Sequence, residues 1–345
     1  MLYVGVDLGK QSSQIAVVNE AGEIQSEAKI KNQKEKILKY IKYLDEPAEV
    51  VCETGSRSFW LADMMKEKEI PVHVAHAYKV KLIAEARVKT NKVDARVLGQ
   101  LLRAKFIPEV YVPSPEMRMW KEVVRGRGGL IRMRTQAYNK IHSILDRNGV
   151  EYEGKDIRGK GARSWLESVE LPEPTRRVLI EYADLVGQLN EHIGDFEKEL
   201  KERIKQDEEM LRVVGLLSSI PGIGWLSAIT FYLELADIGR FASVKKLWGY
   251  VGIVPGVHQT GDMVQRGGRL TKQGNSLLRC LIVEDAWVAI RYDHFYRHLY
   301  KRHLIKIGKT RAILPVARAL LYAVFRVWSE GKRYEEIFQQ QQRVG

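Results

Sequence analysis

The stretch Tyr3-Val4-Gly5-Val6-Asp7-Leu8-Gly9 constrains this chain more than any other. Small and apolar residues carry a strand up to one carboxylate, and Gly9 lets the chain turn beside it, so Asp7 is presented at a sheet rather than on a loose loop. Residues 14–18 and 24–30 read as two further strands, joined by the turn Asn19-Glu20-Ala21-Gly22 into an antiparallel meander. Helical spacing at Ile37, Ile41 and Leu44 lasts until Pro47. A strand over 49–52, a helix through Phe59, Leu61, Met64 and Met65, and the short strand Val72-His73-Val74 follow. A meander followed by alternating helix and strand, with an acid on the first and fourth strands, is the arrangement of a ribonuclease-H-like sheet.

Two later stretches supply partners for Asp7. Val50-Val51-Cys52-Glu53-Thr54-Gly55 repeats the pattern of a buried strand ending in an acid, and Thr90-Asn91-Lys92-Val93-Asp94-Ala95 sets a third acid at the start of an apolar helical run. Acids gathered in this way repel one another unless cations sit between them, and an oxygen-only environment suits Mg²⁺. The alternative is that Asp7 and Glu53 cap strands or turns. His73 and His76 are expected to be structural or surface residues, because Mg²⁺ rarely takes imidazole. Lys79, Lys81, Arg87, Lys89 and Lys92 would offset the charge of a phosphate brought to the acids, or form a solvated helix face.

A formal net charge of +13 predicts a polyanionic partner, most commonly nucleic acid, with a membrane surface as the competitor. The sequence shows neither an eighteen-residue apolar run nor a signal-peptide pattern, which leads us to expect a soluble, cytoplasmic protein with no membrane partner. Cys52 and Cys280 are too few and too far apart for a disulfide framework or metal cluster, and both are expected to be reduced core thiols.

Pro108, Pro113 and Pro115 mark the exit from a first domain over 1–107. A basic helical linker and coiled coil over 108–210 and a mostly helical C-terminal domain over 211–345 complete the expected α/β plus α fold. In the 116–147 helix, Arg125, Arg127, Arg132, Arg134 and Lys140 are placed to run along a phosphate backbone, the alternative being a solvated outer face. Gly126, Gly128 and Gly129 each cost roughly 1 kcal/mol relative to alanine, which predicts a break or a close helix crossing. A loop rich in Gly, Lys and Arg ends this run at 151–161. Leu179, Tyr182, Val186, Leu189, Ile193, Phe196 and Leu200 form a narrow seam, expected to close a helical hairpin and also to pair subunits.

Residues 216–228 read as a helix-hairpin-helix around Pro221-Gly222-Ile223-Gly224. Gly222 and Gly224 would let the backbone approach a phosphate, which the following helix N-terminus favours. Further on, a polar loop holds the hydroxyl of Thr260, followed by Arg266, Arg269, Lys272 and Arg279 as counter-charge for an attacked phosphate. Ser219, Ser227, Ser243 and Ser276 are competing hydroxyls. The last stretch, with Arg291, Arg297, Lys301, Arg302, Lys306, Lys309 and Arg311, reads as a basic connection between core helices.

The Asp7, Glu53 and Asp94 stretches, the Pro221-Gly222-Ile223-Gly224 hairpin, His258-Gln259-Thr260-Gly261 and Thr271-Lys272-Gln273-Gly274-Asn275 together resemble the IS110-type insertion-sequence transposases, the bridge-RNA-guided recombinases. The resemblance implies a RuvC-like domain holding Mg²⁺ on an Asp-Glu-Asp-Asp quartet. It also implies a C-terminal serine that attacks DNA to leave a covalent protein–DNA phosphodiester. Donor and target DNA, a structured noncoding guide RNA, and homodimers assembling to a tetramer are the implied partners, in a prokaryotic cell. Asp7, Glu53 and Asp94 match three acids of the quartet; Asn91 stands where the remaining acid is expected, and Thr260 stands in place of the serine. An amide oxygen still coordinates Mg²⁺ but removes a charge, and threonine keeps the hydroxyl while crowding it. These departures leave open an active variant, a degenerate copy or a deliberately altered protein. The rival functions are a two-metal RuvC-like endonuclease and a family member that only binds RNA or DNA.

Overall fold

Alternating small and apolar residues make β1 (Leu2–Leu8) the middle strand of a five-stranded sheet. The computed structural model describes residues 1–83, 91–152, 156–159, 161–260, 263–270 and 273–338; the side chains of 91–92, 255–260 and 263–269 lie outside that description. β2 (Ser12–Val18) and β3 (Ile24–Lys31) continue as an antiparallel meander. α1 (Lys34–Lys42) leads to β4 (Ala48–Glu53), parallel to β1, and α2 (Ser58–Lys66) leads to β5 (Val72–Ala75), parallel to β4. The strand order β3-β2-β1-β4-β5 is the ribonuclease-H-like topology read from the sequence. α3 (Ala77–Ile83) and α4 (Asn91–Arg103) complete this unit, which spans Met1–Pro115.

The sheet is covered on both faces. Val4, Val6, Val50 and Cys52 pack against Ile37, Ile41, Leu61 and Met65 of α1 and α2. On the opposite face Val51 and Ala75 meet Leu98 and Leu102 of α4. Gly5 is what lets α4 come so close: a Cβ there would lie 2.0 Å from the Ala95 carbonyl oxygen and 2.6 Å from the Gly99 nitrogen. Arg96 fastens the helix to β3 by donating to both Glu27 oxygens at 2.6 and 2.7 Å.

The second unit spans Glu116–Gly345. α5 (Pro115–Arg147) and α7 (Glu173–Gln206) lie antiparallel, with Arg203 on Glu116, Arg127 on Glu197 and Arg134 on Asn190 along their length. α6 (Ala162–Ser168) closes the far end, where Ile141, Leu145, Leu166, Leu179 and Val186 form a small core of their own. α5 runs unbroken through its three glycines, and two of them face neighbouring helices: a Cβ added at Gly126 would lie 3.6 Å from Phe196 and one at Gly128 3.6 Å from Leu277.

Here one expectation is corrected. The seam from Leu179 to Leu200 is covered by the same chain, with Leu179, Val186, Leu189, Ile193 and Leu200 all buried, so it is taken up inside the hairpin rather than left for a second subunit.

The chain continues with α8 (Glu208–Leu217), α9 (Trp225–Leu235), α10 (Val244–Val251), β6 (Pro255–Thr260) and β7 (Met263–Leu270). It ends with α11 (Ser276–Tyr292), α12 (His294–Ile307), α13 (Lys309–Glu330) and α14 (Tyr334–Phe338). Val124, Leu200 and Ile204 of the hairpin share one core with Leu217, Phe231, Leu247, Ile282 and Leu320, so its root belongs to the C-terminal unit. α13 is long and apolar enough to cross a membrane by length and composition, yet its apolar face (Ile313, Val316, Leu320, Val324) fills this core. The stretch expected to be a polar loop around Thr260 is an antiparallel strand pair, and the expected basic connection contains the helix α12.

Candidate active site

Side chains two residues apart on a strand share a face, and neighbours in register on parallel strands do too. Gly5 faces α4, so Asp7 faces α4. Gly5 is paired with Val51 and Val6 with Cys52, which puts Glu53 beside Asp7, at the carboxyl ends of adjacent parallel strands and on the same face. Asp94 sits one residue before Ala95, the residue seated on Gly5. All three acids are half-buried. The register, the glycine contact and the strand parity thus bring the three sequence-predicted acids to one end of the sheet, the end where open α/β sheets hold ligands. Among the described residues no three His, Cys, Asp or Glu side chains form a ready-made metal cluster. The Asn91 side chain lies outside the described residues. His73 is held at the surface by Glu109 and Glu49, as expected of a structural histidine.

In the second unit Thr260 ends β6 opposite Met263 of β7. Its side chain, those of Arg266 and Arg269, and all of Lys272 lie outside the described residues. Two competing hydroxyls are engaged elsewhere. Ser219 donates to the Leu216 carbonyl at 2.6 Å and accepts from the Tyr334 nitrogen at 2.9 Å, while Ser227 donates to Asp285 at 2.8 Å.

Three of the expected nucleic-acid contacts have partners within the fold. Arg125 donates to both oxygens of Glu234 at 2.6 and 2.9 Å, Arg127 to Glu197 at 2.9 and 2.6 Å, and Arg134 to Asn190 at 2.8 Å. These three bridge helices, with Arg125 still exposed, while Arg132 and Lys140 are exposed and make no ion pair among the described residues. Gly222 also has an internal role: at φ 90°, a Cβ would lie 2.6 Å from the Asp285 carbonyl and 2.8 Å from the Ala289 nitrogen, so its bare backbone admits α11. Gly224, before α9, has open space around it. Cys52 is buried, which pushes its thiol up to about 12, whereas Cys280 is exposed rather than in the core.

Burial also lifts the Asp285 carboxyl to about 7, against the opposing effect of the Ser227 hydrogen bond. Its Oδ2 is buried with no hydrogen-bond partner among the described residues. A folded value raised above the unfolded one favours the neutral acid in the fold. The stability is therefore present at pH below about 4 and drains away as pH rises toward 7, by on the order of 4 kcal/mol. Asp285→Asn should flatten that part of the stability–pH curve, measured by urea unfolding between pH 4 and 8.

Two family models match this chain. One, described as Transposase IS116/IS110/IS902 family, matches residues 214–301; the other, named for the DEDD transposases of IS110 and described as Transposase, matches residues 4–149. Between them they cover well over half of the sequence. The chain belongs to the IS110 family of DNA transposases. Among individual relatives, the putative transposase y4qE of Sinorhizobium fredii is 28% identical over 339 residues, 96% of this chain and 83% of its own. The transposase for insertion sequence element IS1111A of Coxiella burnetii is 25% identical over 84% of this chain and 78% of its own. The pilin gene-inverting protein of Moraxella bovis is 24% identical over 74% and 71% respectively.

In this IS110-family chain, sequence reasoning missed Glu234. Its carboxylate, wholly buried on α9, accepts from Arg125 of α5 and, at 2.7 Å, from the Asn275 amide. Asn275 in turn accepts from the Leu278 nitrogen and so caps α11. The Glu234 carbonyl accepts from Lys121 at 3.3 Å and from the Tyr250 hydroxyl at 3.2 Å. Burial pushes the Lys121 ammonium down to about 8, with Glu234 pulling the other way. The signal in the sequence was that this acid is the one charged residue of α9.

Proposed function

We propose that this IS110-family transposase is an RNA-guided, site-specific DNA recombinase with a RuvC-like N-terminal unit, working through a Mg²⁺-assisted attack of the Thr260 hydroxyl. The observation that carries the reading is the shared face of Asp7 and Glu53 at adjacent parallel strand ends, with the Asp94 helix seated over them on Gly5. The donor set is all oxygen, which fits a hard cation, and a cation bound there would offset the repulsion among the carboxylates. Asp7, Glu53 and Asp94 would hold the metal, with the Asn91 amide as a weaker neutral ligand. Bound there, Mg²⁺ would supply electrophilic activation of the scissile phosphate.

The chain's own step is a transesterification. Thr260 Oγ forms a bond to phosphorus as the P–O3′ bond breaks, and the proton leaving the threonine is balanced by the one taken up at the 3′ oxygen, which departs as a free hydroxyl. The result is a phosphothreonine ester to the DNA, which conserves the bond energy for rejoining. The net charge of +13 and the family likeness support donor DNA, target DNA and a structured guide RNA as partners, in a homo-oligomer that reaches a tetramer. The relative named for inverting a pilin gene supports rearrangement rather than simple cutting.

The test is incubation with cognate RNA, donor and target DNA and Mg²⁺, followed by denaturing electrophoresis. A protein–DNA adduct is expected, lost in Thr260→Ala and increased in Thr260→Ser, and absent without RNA. Cleavage with no adduct would establish a two-metal hydrolase instead. Absence of adduct and product in the serine variant, with complexes assembled, would leave a binding protein.

A further inference from the structure

From His294 to Ser329 the sequence contains no Asp or Glu and eight Lys or Arg residues. Two of these are engaged internally: Arg318 donates to the Ile253 carbonyl and Arg326 pairs with Glu330. Arg297 donates to the Ile290 and Arg291 carbonyls at the end of α11, leaving its charge at the surface. The remaining five, Lys301, Arg302, Lys306, Lys309 and Arg311, are exposed and make no ion pair among the described residues. This is the reverse of α5, whose Arg125 and Arg127 are neutralised by Glu234 and Glu197. A charged surface without internal partners is one that has kept its counter-ions for exchange.

The shape of the patch narrows the partner. On α12, His294, His298, Lys301 and Ile305 recur at steps of three and four, so they form one stripe, with Arg302 at its border. Ile305, in the middle of the cationic residues, is 93% exposed. At 1.5 Å per residue the helix presents a convex rod about 20 Å long. A helix of this kind enters the major groove of duplex DNA, where lysines reach the flanking phosphates and an apolar side chain can be covered by thymine methyls. The deep, narrow major groove of A-form RNA does not admit it.

We infer that α12 and the start of α13 form a duplex-DNA docking surface, built from Lys301, Arg302, Lys306, Lys309 and Arg311 with Ile305 at its centre. The inference does not rest on the acids or on Thr260. It is tested with the full-length chain and a short arbitrary-sequence DNA duplex, by measuring how log Kobs changes with log salt. Replacing three contacts in K301Q/R302Q/K306Q should make the slope shallower by about 2 to 3, and K309Q/R311Q by about 1 to 2. A structured RNA hairpin titrated in parallel should keep its slope in both variants. All five side chains are exposed, so an unchanged melting curve is expected and confirms the comparison. An unchanged DNA slope in both variants would overturn the inference. So would an RNA slope that falls as much as, or more than, that of DNA, since the surface would then be an RNA site or an unselective one.

Discussion

Gly5→Ala should lower the melting temperature by roughly 10 °C, a loss of about 3 kcal/mol, whereas Asp7→Asn, two residues further on, should leave melting nearly unchanged and abolish DNA strand transfer. The added methyl would sit 2.0 Å from the Ala95 carbonyl, a backbone atom that no side-chain rotation can move. α4 must lift off the sheet, and Val51, Leu98 and Leu102 lose packing with it. Asp7→Asn preserves shape and removes one charge from the acids at the strand ends. If those acids hold the metal, the lost stabilisation of several kcal/mol slows strand transfer on the order of a thousandfold. Differential scanning calorimetry beside a product assay separates the two. Equal activity in Asp7→Asn and the parent chain would remove Asp7 from the chemistry.

Glu234→Ala carries the second large effect. The side chain is fully buried and is met by Arg125 at 2.6 Å and Asn275 at 2.7 Å, so its removal strands a guanidinium and the amide that caps α11. Breaking a buried ion pair costs 3–5 kcal/mol; Arg125 is 59% exposed and regains water, which lowers the expectation to about 2–4 kcal/mol. Glu234→Met, close in volume, should recover part of the loss only when Arg125 is also replaced by an apolar residue. Chemical unfolding of the single and double variants measures the coupling. Because Asn275 ends the segment that follows the β6–β7 pair, Glu234→Ala should also reduce adduct formation.

The sheet was legible in the sequence because each of its strands is a local pattern. Val4 and Val6 alternate with Gly5, and the turn at Asn19–Gly22 and the acids at positions 7 and 53 are read within a few residues. That Asp7 and Glu53 end neighbouring strands on one face was legible for the same reason. What the chain's local chemistry does not carry is whether a charge will find its partner inside the fold. Arg127 and Glu197 lie 70 residues apart, and Arg125 and Glu234 lie 109 apart. The arginines of α5 therefore looked like an anion-binding face. The seam of α7 announced the hairpin, but an apolar stripe does not state how much of it one partner helix covers. Gly222 was read as open to a phosphate because the residues that crowd it, Asp285 and Ala289, lie more than sixty positions later in sequence.

The paired helices α5 and α7 have a mechanical consequence. With 33 and 34 residues they form a beam about 50 Å long, anchored at one end in the C-terminal core and carrying a separate small core at the other. A beam of that length is an amplifier: a tilt of about 5° at its root sweeps the tip through roughly 4 Å, more than the length of a hydrogen bond. Small adjustments around Glu234, where Arg125 meets α9, would thus be felt at the tip as the making or breaking of whole contacts.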